Sequence, residues 1–492
     1  MNQSLSKSKY LSGLQCSKLL WHQYNAPQEI PPPDASTQAI FDTGNEIGEL
    51  AQKLFPCGEE VAWNDGDFQG TLSQTQELIK KRNPVYEASF SANSAYARAD
   101  ILLPVGRSAW DIIEVKSSTG VKDINISDVA FQKYCYESTG LKISKCHLMH
   151  VNNEYVRQGE LNPKELFAIE DVSEAVSEKI PQVPRKISEM LEVIKLKACP
   201  NVCVGIHCTD PYVCPLYDKC HTFLPEHNPL NLYRFSKKKA YKLIRDGILD
   251  ISKLPEGTSL NDKQSIQIDC IRQKKEFINK QEIQDFLKGL RYPLYFLDFE
   301  TYAFAVPPFD GTKPYQQIPF QFSLHIQDSK DSGLVHHSFL AEGKNDPRPK
   351  FIERLREVLG ENGDIIAYNA PFEMGRLKEC GKFMSEHKPW ILTVNARFVD
   401  LLKPFRDFNY YNPKQHGSNS IKAVLPALVG KSYEGMEISE GGTASREYVR
   451  VAFGDITPED RAKVRKALEE YCKLDTKAMV DIINKLKALL CD

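Results

Sequence analysis

The chain has 492 residues, 41 % of them hydrophobic, and its 63 Lys and Arg nearly balance 65 Asp and Glu, for a formal net charge of −2. That length suits two or three domains, each able to bury its own core. Near-neutral charge excludes a bulk field that draws the whole molecule onto nucleic acid or an anionic membrane, so any basic surface is local. Apolar runs are too short to span a bilayer, and Met1-Asn2-Gln3-Ser4-Leu5-Ser6-Lys7 lacks the apolar centre of a secretion signal. No membrane partner is expected, and a cytoplasmic address follows by default.

In chain order, residues 96–103 read as a strand and Trp110–Lys116 as the next, with turn residues Pro104–Ser108 between them. A hairpin centred near Arg107 sets Asp100 opposite Glu114, and alternation puts Lys116 on the face of Glu114. Such carboxylates can hold Mg²⁺, and the lysine can orient or activate an attacking water. A helix follows, which Ser127 can cap and Gly140 can stop, with Gln132 and Tyr136 on one face. The ordered set Glu87, Arg98-Ala99-Asp100, Glu114-Val115-Lys116 and Gln132…Tyr136 resembles the RecB family of PD-(D/E)xK nucleases. The resemblance implies a restriction-endonuclease-like core over residues 1–225. Asp100, Glu114 and Lys116 would then be catalytic, Asp100 and Glu114 would bind Mg²⁺ or Mn²⁺, and Gln132 and Tyr136 would meet substrate. Many members add a histidine ligand from an early helix; the matching stretch, Gly44-Asn45-Glu46-Ile47-Gly48-Glu49, has none.

Thirteen cysteines, an odd number, argue against a fully paired disulfide framework, and five of them lie between Cys199 and Cys220. In a reducing compartment such a cluster suits metal better than disulfides. One cysteine near the start, Cys16, and three after the core, Cys208, Cys214 and Cys220, is the arrangement of RecB-like nucleases with an iron–sulfur cluster. That likeness implies a 4Fe–4S cluster tying the ends of the domain together. The Cys-x5-Cys-x5-Cys spacing is looser than the Cys-x2-Cys pairs usual for zinc. Cys199 and Cys203 are alternatives for one of the four.

Residues 226–290 read as a helical connector. Within it, Arg234, Lys237, Lys238, Lys239, Lys242 and Arg245 alternate with Tyr233, Phe235 and Tyr241. This pattern suits either tracking of a nucleic-acid strand or a solvated helix face.

The C-terminal part, 291–492, begins with Leu294–Thr301, an apolar run that reads as a buried strand with Asp298 and Glu300 on one side. Two buried carboxylates on one face are costly unless a cation pairs with them. Lys313–Gln321 reads as a loop into the next strand, and His336-His337 as strand surface. Asp364–Glu373 reads as a strand and turn that place Asn369 and Glu373 at a helix start. Gly441-Gly442-Thr443 reads as a flexible turn. Thr457 then caps a last helix with Pro458 at its first position. The apolar stripe of that helix runs Val464, Leu468, Tyr471, Met479, Ile482, Leu486, Leu489. Asp475 falls in this core-facing row, one turn past Tyr471, which suggests a metal ligand.

Asp-x-Glu, then Asn-x-x-Phe-Glu, then Tyr-x-x-x-Asp is an order that resembles the DEDD exonucleases of the tyrosine subtype. This resemblance implies a ribonuclease-H-like fold, a mixed sheet flanked by helices that removes nucleotides from 3′ ends with two divalent metals. Asp298, Glu300, Glu373 and Asp475 would be the ligands, Tyr471 would position water, and Asn369 would contact substrate. The family's second-block acid is normally aspartate. Here that position is Glu373, and Asp400 competes for the role. The whole chain, of α/β (α+β) class, resembles a bacterial family that fuses the two nuclease types. Implied is a metal-dependent nuclease acting on DNA ends or single strands, in repair or in defence against foreign DNA, with DNA favoured over RNA as partner. An RNA-processing exonuclease and a nucleic-acid-binding scaffold with one degenerate site are the alternatives.

Overall fold

The computed structural model describes residues 4–63, 67–255 and 257–491, so the first three residues of the N-terminal stretch lie outside it. The fold is mixed α/β, in two compact units: residues 1–223 with 304–315, and residues 224–303 with 316–492. Two expected boundaries change. Residues 226–290 are part of the second unit rather than a connector, because Tyr233 and Cys270 share a core with Phe408 and Tyr411. Residues 304–315 belong to the first unit, where Ala305 is buried with Met149, Val151 and Tyr155 and Arg157 donates to the carbonyls of Pro307 and Pro308. No helix among the described residues is long and apolar enough to cross a membrane.

The first unit contains β1 (Leu5–Ser6), α1 (Lys7–Gln15), α2 (Ser17–Asn25), α3 (Ala35–Gln52), β2 (Glu59–Glu60), α4 (Phe68–Lys80), β3 (Val85–Ala92), β4 (Ala95–Val105), β5 (Ala109–Lys116), α5 (Asp123–Ser138), β6 (Lys142–Val151), β7 (Phe167–Asp171) and α6 (Val183–Lys195). Among the described residues its strands form one mixed sheet, ordered β2-β3-β4-β5-β6-β7 with β1 beside β4. The β4–β5 hairpin pairs Ile101 with Ile113 and Val105 with Ala109, a register centred on Arg107. Alternation along β5 sends Trp110 and Ile112 into the core shared with Val129 and Phe131 of α5, while Ile113 and Val115 meet Ile47 and Ala51 of α3. Glu114 therefore faces α5. That helix starts at Asp123, earlier than expected. Ser127 is an interior residue whose hydroxyl bonds to the Asp123 carbonyl, and Gly140, at φ 90°, follows the end of the helix.

The second unit contains α7 (Lys237–Arg245), α8 (Asp262–Gln273), β8 (Phe277–Ile278), β9 (Leu294–Tyr302), β10 (Ile318–Gln327), β11 (Leu334–Leu340), α9 (Arg348–Val358), β12 (Asp364–Ala367), α10 (Pro371–Phe383), β13 (Phe398–Asp400), β14 (Tyr410–Tyr411), α11 (Ile421–Val429), α12 (Gly441–Phe453) and α13 (Pro458–Ala488). Its main sheet has the order β11-β10-β9-β12-β13, antiparallel through the first three strands and parallel through the last three. Tyr295, Leu297 and Phe299 of β9 pack on Phe351, Ile352 and Leu355 of α9. The opposite face carries α13, where Gln321 donates to the Leu468 carbonyl and Ser323 bonds to Thr476. Period-two alternation thus delivers Asp298 and Glu300 to the α13 side.

Helix α13 is built as its sequence directs. The Thr457 hydroxyl accepts the Asp460 N–H, Pro458 opens the first turn, and Val464, Leu468, Tyr471, Met479, Ile482 and Leu486 are buried. One other reading changes, and one left open is decided. Gly441-Gly442-Thr443 is the first turn of α12, and not a flexible turn. In α7 the lysines lie outward while Tyr241 is buried, as is Tyr233 just before it, so the aromatics serve the core and the cations form a solvated face.

Candidate metal centres

Three sequence blocks converge in the second unit. β9 supplies Asp298 and Glu300, the first turn of α10 supplies Glu373, and α13 supplies Tyr471, Cys472 and Asp475. Ligand atoms of Asp298, Glu300 and Cys472 lie within 4.8 Å of one another, and the Cys472 Sγ is 3.7 Å from an Asp298 carboxylate oxygen. Glu300, Glu373 and Asp475 are buried. Burial pushes all four acids up. Asp298 is raised further by Asp475, Glu300 and Glu373, Glu300 reaches about 8 with Asp475 beside it, and Glu373 is raised further by Asp400 and Glu300. Asp475 rises only to about 6, because its hydrogen bond to Tyr433 and the charge of Lys422 oppose burial.

The surrounding groups hold this cluster in shape. Tyr433 donates to Asp475 at 2.5 Å, and Tyr471, one turn earlier on α13, bonds to the same carboxylate. The Lys422 ammonium stands 5.5 Å from the Tyr471 ring centre and 5.6 Å from that of Tyr433, lending positive charge to Glu300 and Asp475. A Cβ at Gly441 would sit 3.6 Å from Glu300, so the start of α12 also borders the cluster.

The two candidates for the second-block acid differ in what they touch. Asp400 accepts the N–H groups of Asn369 and Leu402 and a guanidinium N–H of Arg406, so it shapes the turn after β12. Glu373 keeps a buried carboxylate oxygen, Oε2, with no hydrogen-bond partner. A buried carboxylate oxygen without a partner, among three other acids, is costly unless a cation completes it, and the four carboxylates offer the oxygen donors that suit Mg²⁺ or Mn²⁺, with the Cys472 sulfur beside them. Asn369 is exposed at φ 78°, at the turn into α10.

A second constellation occupies the first unit. Lys116 reaches Glu114 at 2.6 Å and Asp128 at 2.9 Å, and Gln132 donates to Glu114 at 2.7 Å and to Asp128 at 2.9 Å. Lys7, the first residue of α1, also donates to Glu114, at 2.7 Å. One Asp100 oxygen accepts the Val115 N–H at 2.6 Å. Burial and then the Glu114 charge push Asp100 to about 7. Burial works in the same direction on Glu114, but Lys116 and Lys7 outweigh it and hold that carboxyl well below its usual range. Glu87 pairs with Arg98 at 3.2 Å and sits at φ 55° within β3, local strain of the kind found at functional sites. Carboxylates from two strands and a helix suit a hard cation, although ammonium groups now satisfy Glu114.

Gln132 and Tyr136, expected to meet substrate, are wholly buried. Gln132 clamps two carboxylates. The Tyr136 hydroxyl donates to the Ala88 carbonyl and accepts the Ala99 N–H, which fixes β3 against β4. Sequence reasoning missed Lys7, Asp128, Tyr433, Lys422 and Cys472. Two of these had a local signal: Asp128 is four residues before Gln132, and Cys472 follows Tyr471. For the others no local pattern exists.

The thirteen cysteines form no disulfide among the described residues. Cys16, Cys214 and Cys220 share a small apolar cluster, and burial raises the Cys208 and Cys214 thiols, with the other cysteines of the set adding to the rise. Gly205 donates its N–H to the Cys208 Sγ at 3.5 Å. Thiols near enough to raise one another, with a backbone N–H donated to one sulfur, are of the donor type an iron–sulfur cluster takes. Cys199 lies near Cys16 and Cys220, whereas Cys203 is exposed.

Residues 295–420 match the family described as "Domain of unknown function (DUF2779)". The match includes Asp298, Glu300, Glu373 and Asp400 but stops before Tyr471 and Asp475. An uncharacterized protein of Mycoplasma pneumoniae is 28% identical over 210 residues, covering 38% of this chain and 31% of the relative. One from Mycoplasma genitalium is 24% identical over 247 residues, covering 46% and 37%. A third, from Ureaplasma parvum, is 24% identical over 234 residues, covering 43% and 33%. The chain thus spans about a third of the length of the curated relatives it matches.

Proposed function

We propose that this chain is a metal-dependent nuclease with two sites, acting on DNA ends or single-stranded DNA. The observation that carries the reading is the convergence of Asp298, Glu300, Glu373 and Asp475, from three distant stretches, into one cluster with a buried Glu373 oxygen unpaired. The mixed sheet with helices on both faces agrees with the ribonuclease-H-like fold that the tyrosine-subtype DEDD resemblance implies. Mg²⁺ or Mn²⁺ held by these four acids would supply Lewis-acid stabilisation of the charge that develops at phosphorus. Tyr471 and Tyr433 orient Asp475 by hydrogen bonding, and a bonded carboxylate keeps one geometry through the reaction. Lys422 places positive charge over the same pocket, where an incoming phosphate adds negative charge.

In the first unit, which we read as the restriction-endonuclease-like core of a RecB-like nuclease, Asp100, Glu114 and Asp128 would hold the metal. Lys116 would orient water, and Gln132 holds Glu114 and Asp128 in register. Cys16, Cys208, Cys214 and Cys220 would carry a structural 4Fe–4S cluster. A cytoplasmic setting, with its reducing chemistry, is consistent with such thiols.

The test is Mn²⁺-dependent digestion of a 5′-labelled single-stranded oligodeoxynucleotide. The purified variant with Asp298→Ala and Glu300→Ala should lose stepwise 3′ trimming to background while keeping the wild-type circular dichroism spectrum. Undiminished trimming by that variant would overturn the C-terminal assignment. Faster cutting of a matched RNA would move the substrate class to RNA.

A further inference from the structure

We propose that Lys7 is a tethered cation occupying the metal position of the first unit's carboxylate site, so that a divalent ion enters only by displacing it. This rests on the reading of that site as a metal centre. The Lys7 Nζ lies 2.7 Å from Glu114 Oε1 and 3.9 Å from Asp128 Oδ1, between the two buried acids. Lys116 approaches the same two residues from the strand side, so two ammonium groups share these two carboxylates, with Asp100 a third acid acting on both. With Gln132 on Glu114 Oε2, both oxygens of that carboxylate are taken. A metal ion approaching Glu114 Oε1 therefore competes with an ammonium group already present.

Lys7 is the donor built to leave. Lys116 makes two short contacts, at 2.6 and 2.9 Å, whereas Lys7 makes one short contact and one near 4 Å. Lys7 is also the first residue of α1, whose first turn holds no acid, and a cation at a helix N-terminus opposes the helix dipole. Its placement is nonetheless fixed. The preceding Leu5 and Ser6 pair with Ala95 and Tyr96 of β4, Leu5 is fully buried, and Ser6 caps the helix. The backbone is thereby anchored at the sheet while four methylenes leave the ammonium free to swing. The Lys7 side chain is 24% exposed, so its way out leads to solvent.

The experiment is isothermal titration of the full-length chain with Mn²⁺, for wild type, Lys7→Met and Lys7→Arg, each with and without Glu114→Gln. The heat that Glu114→Gln removes reports this site separately from the second unit. Lys7→Met should bind Mn²⁺ there at least about tenfold tighter than wild type, and Lys7→Arg, which keeps the charge, should stay as weak as wild type. Equal or weaker binding by Lys7→Met, with the Glu114-dependent heat still present, overturns the proposal and makes Lys7 a positioning residue. Tighter binding by Lys7→Arg overturns it too, and covers the case in which Lys7→Met fails to fold. Absence of any Glu114-dependent heat in all three proteins overturns both this proposal and the metal reading of the site.

Discussion

At Glu300, burial and the neighbouring Asp475 both favour the neutral acid, moving its titration from 4.5 to about 8. The unfolded chain ionises near the ordinary value, so the neutral folded form is stabilised fully below pH 4.5, and that contribution is lost as pH rises through 4.5 to 8. A glutamine at this position never ionises. In metal-free buffer Glu300→Gln should therefore match wild type near pH 4 and exceed it in melting temperature by pH 8. Thermal melts in a chelator across that range check the sign; a difference that is constant with pH would contradict it. Mn²⁺, which needs the ionised ligands, should raise the wild-type melting temperature more at pH 8 than at pH 6.

Helix α13 sets the geometry of the second cluster at the scale of the element. It presents Tyr471, Cys472 and Asp475 from consecutive turns to β9, and its register against the sheet is held by Leu468 in the core and Thr457 at the cap. Truncating the fully buried Leu468 to Ala should cost about 2–5 kcal/mol, as a transfer loss plus a cavity. Thr457→Ala should cost about 1 kcal/mol, because one N–H of the first turn loses its acceptor. Urea unfolding monitored by circular dichroism distinguishes the two. Equal costs would mean that the helix is anchored elsewhere.

For the whole molecule, the proposed cluster would join the beginning of the first unit to its end, since Cys16 lies between α1 and α2 and Cys208, Cys214 and Cys220 follow α6. A cluster there closes a loop of nearly the full unit, and such closures stabilise by restricting the unfolded chain. The anaerobically purified chain should carry about four irons. Cys214→Ser should lose that iron and make residues 1–223 more sensitive to limited proteolysis. Iron counting and fragment mass spectrometry check both outcomes, and stoichiometric zinc in the wild type would sink the assignment.

Short-range order was written in neighbouring residues. The alternation of β9 puts Asp298 and Glu300 on one face, the Thr457-Pro458 start and apolar stripe define α13, and the turn around Arg107 pairs Ile101 with Ile113, next to Asp100 and Glu114. These follow from backbone periods of two and 3.6 and from turn chemistry, which act over a few residues. Partners across long separations did not follow. Lys7 meets Glu114 from 107 residues away, Tyr433 meets Asp475 from 42 away, and residues 304–315 join the first unit although they lie inside the second in sequence. Tyr136, which reads as a substrate contact, instead links two strands because α5 packs it into the core. The sequence by itself determined the strands β4, β5 and β9, the helix α13, and which acids share a face. Only the tertiary structure decided which distant cations and hydroxyls complete each cluster, because that choice depends on how whole faces pack against one another.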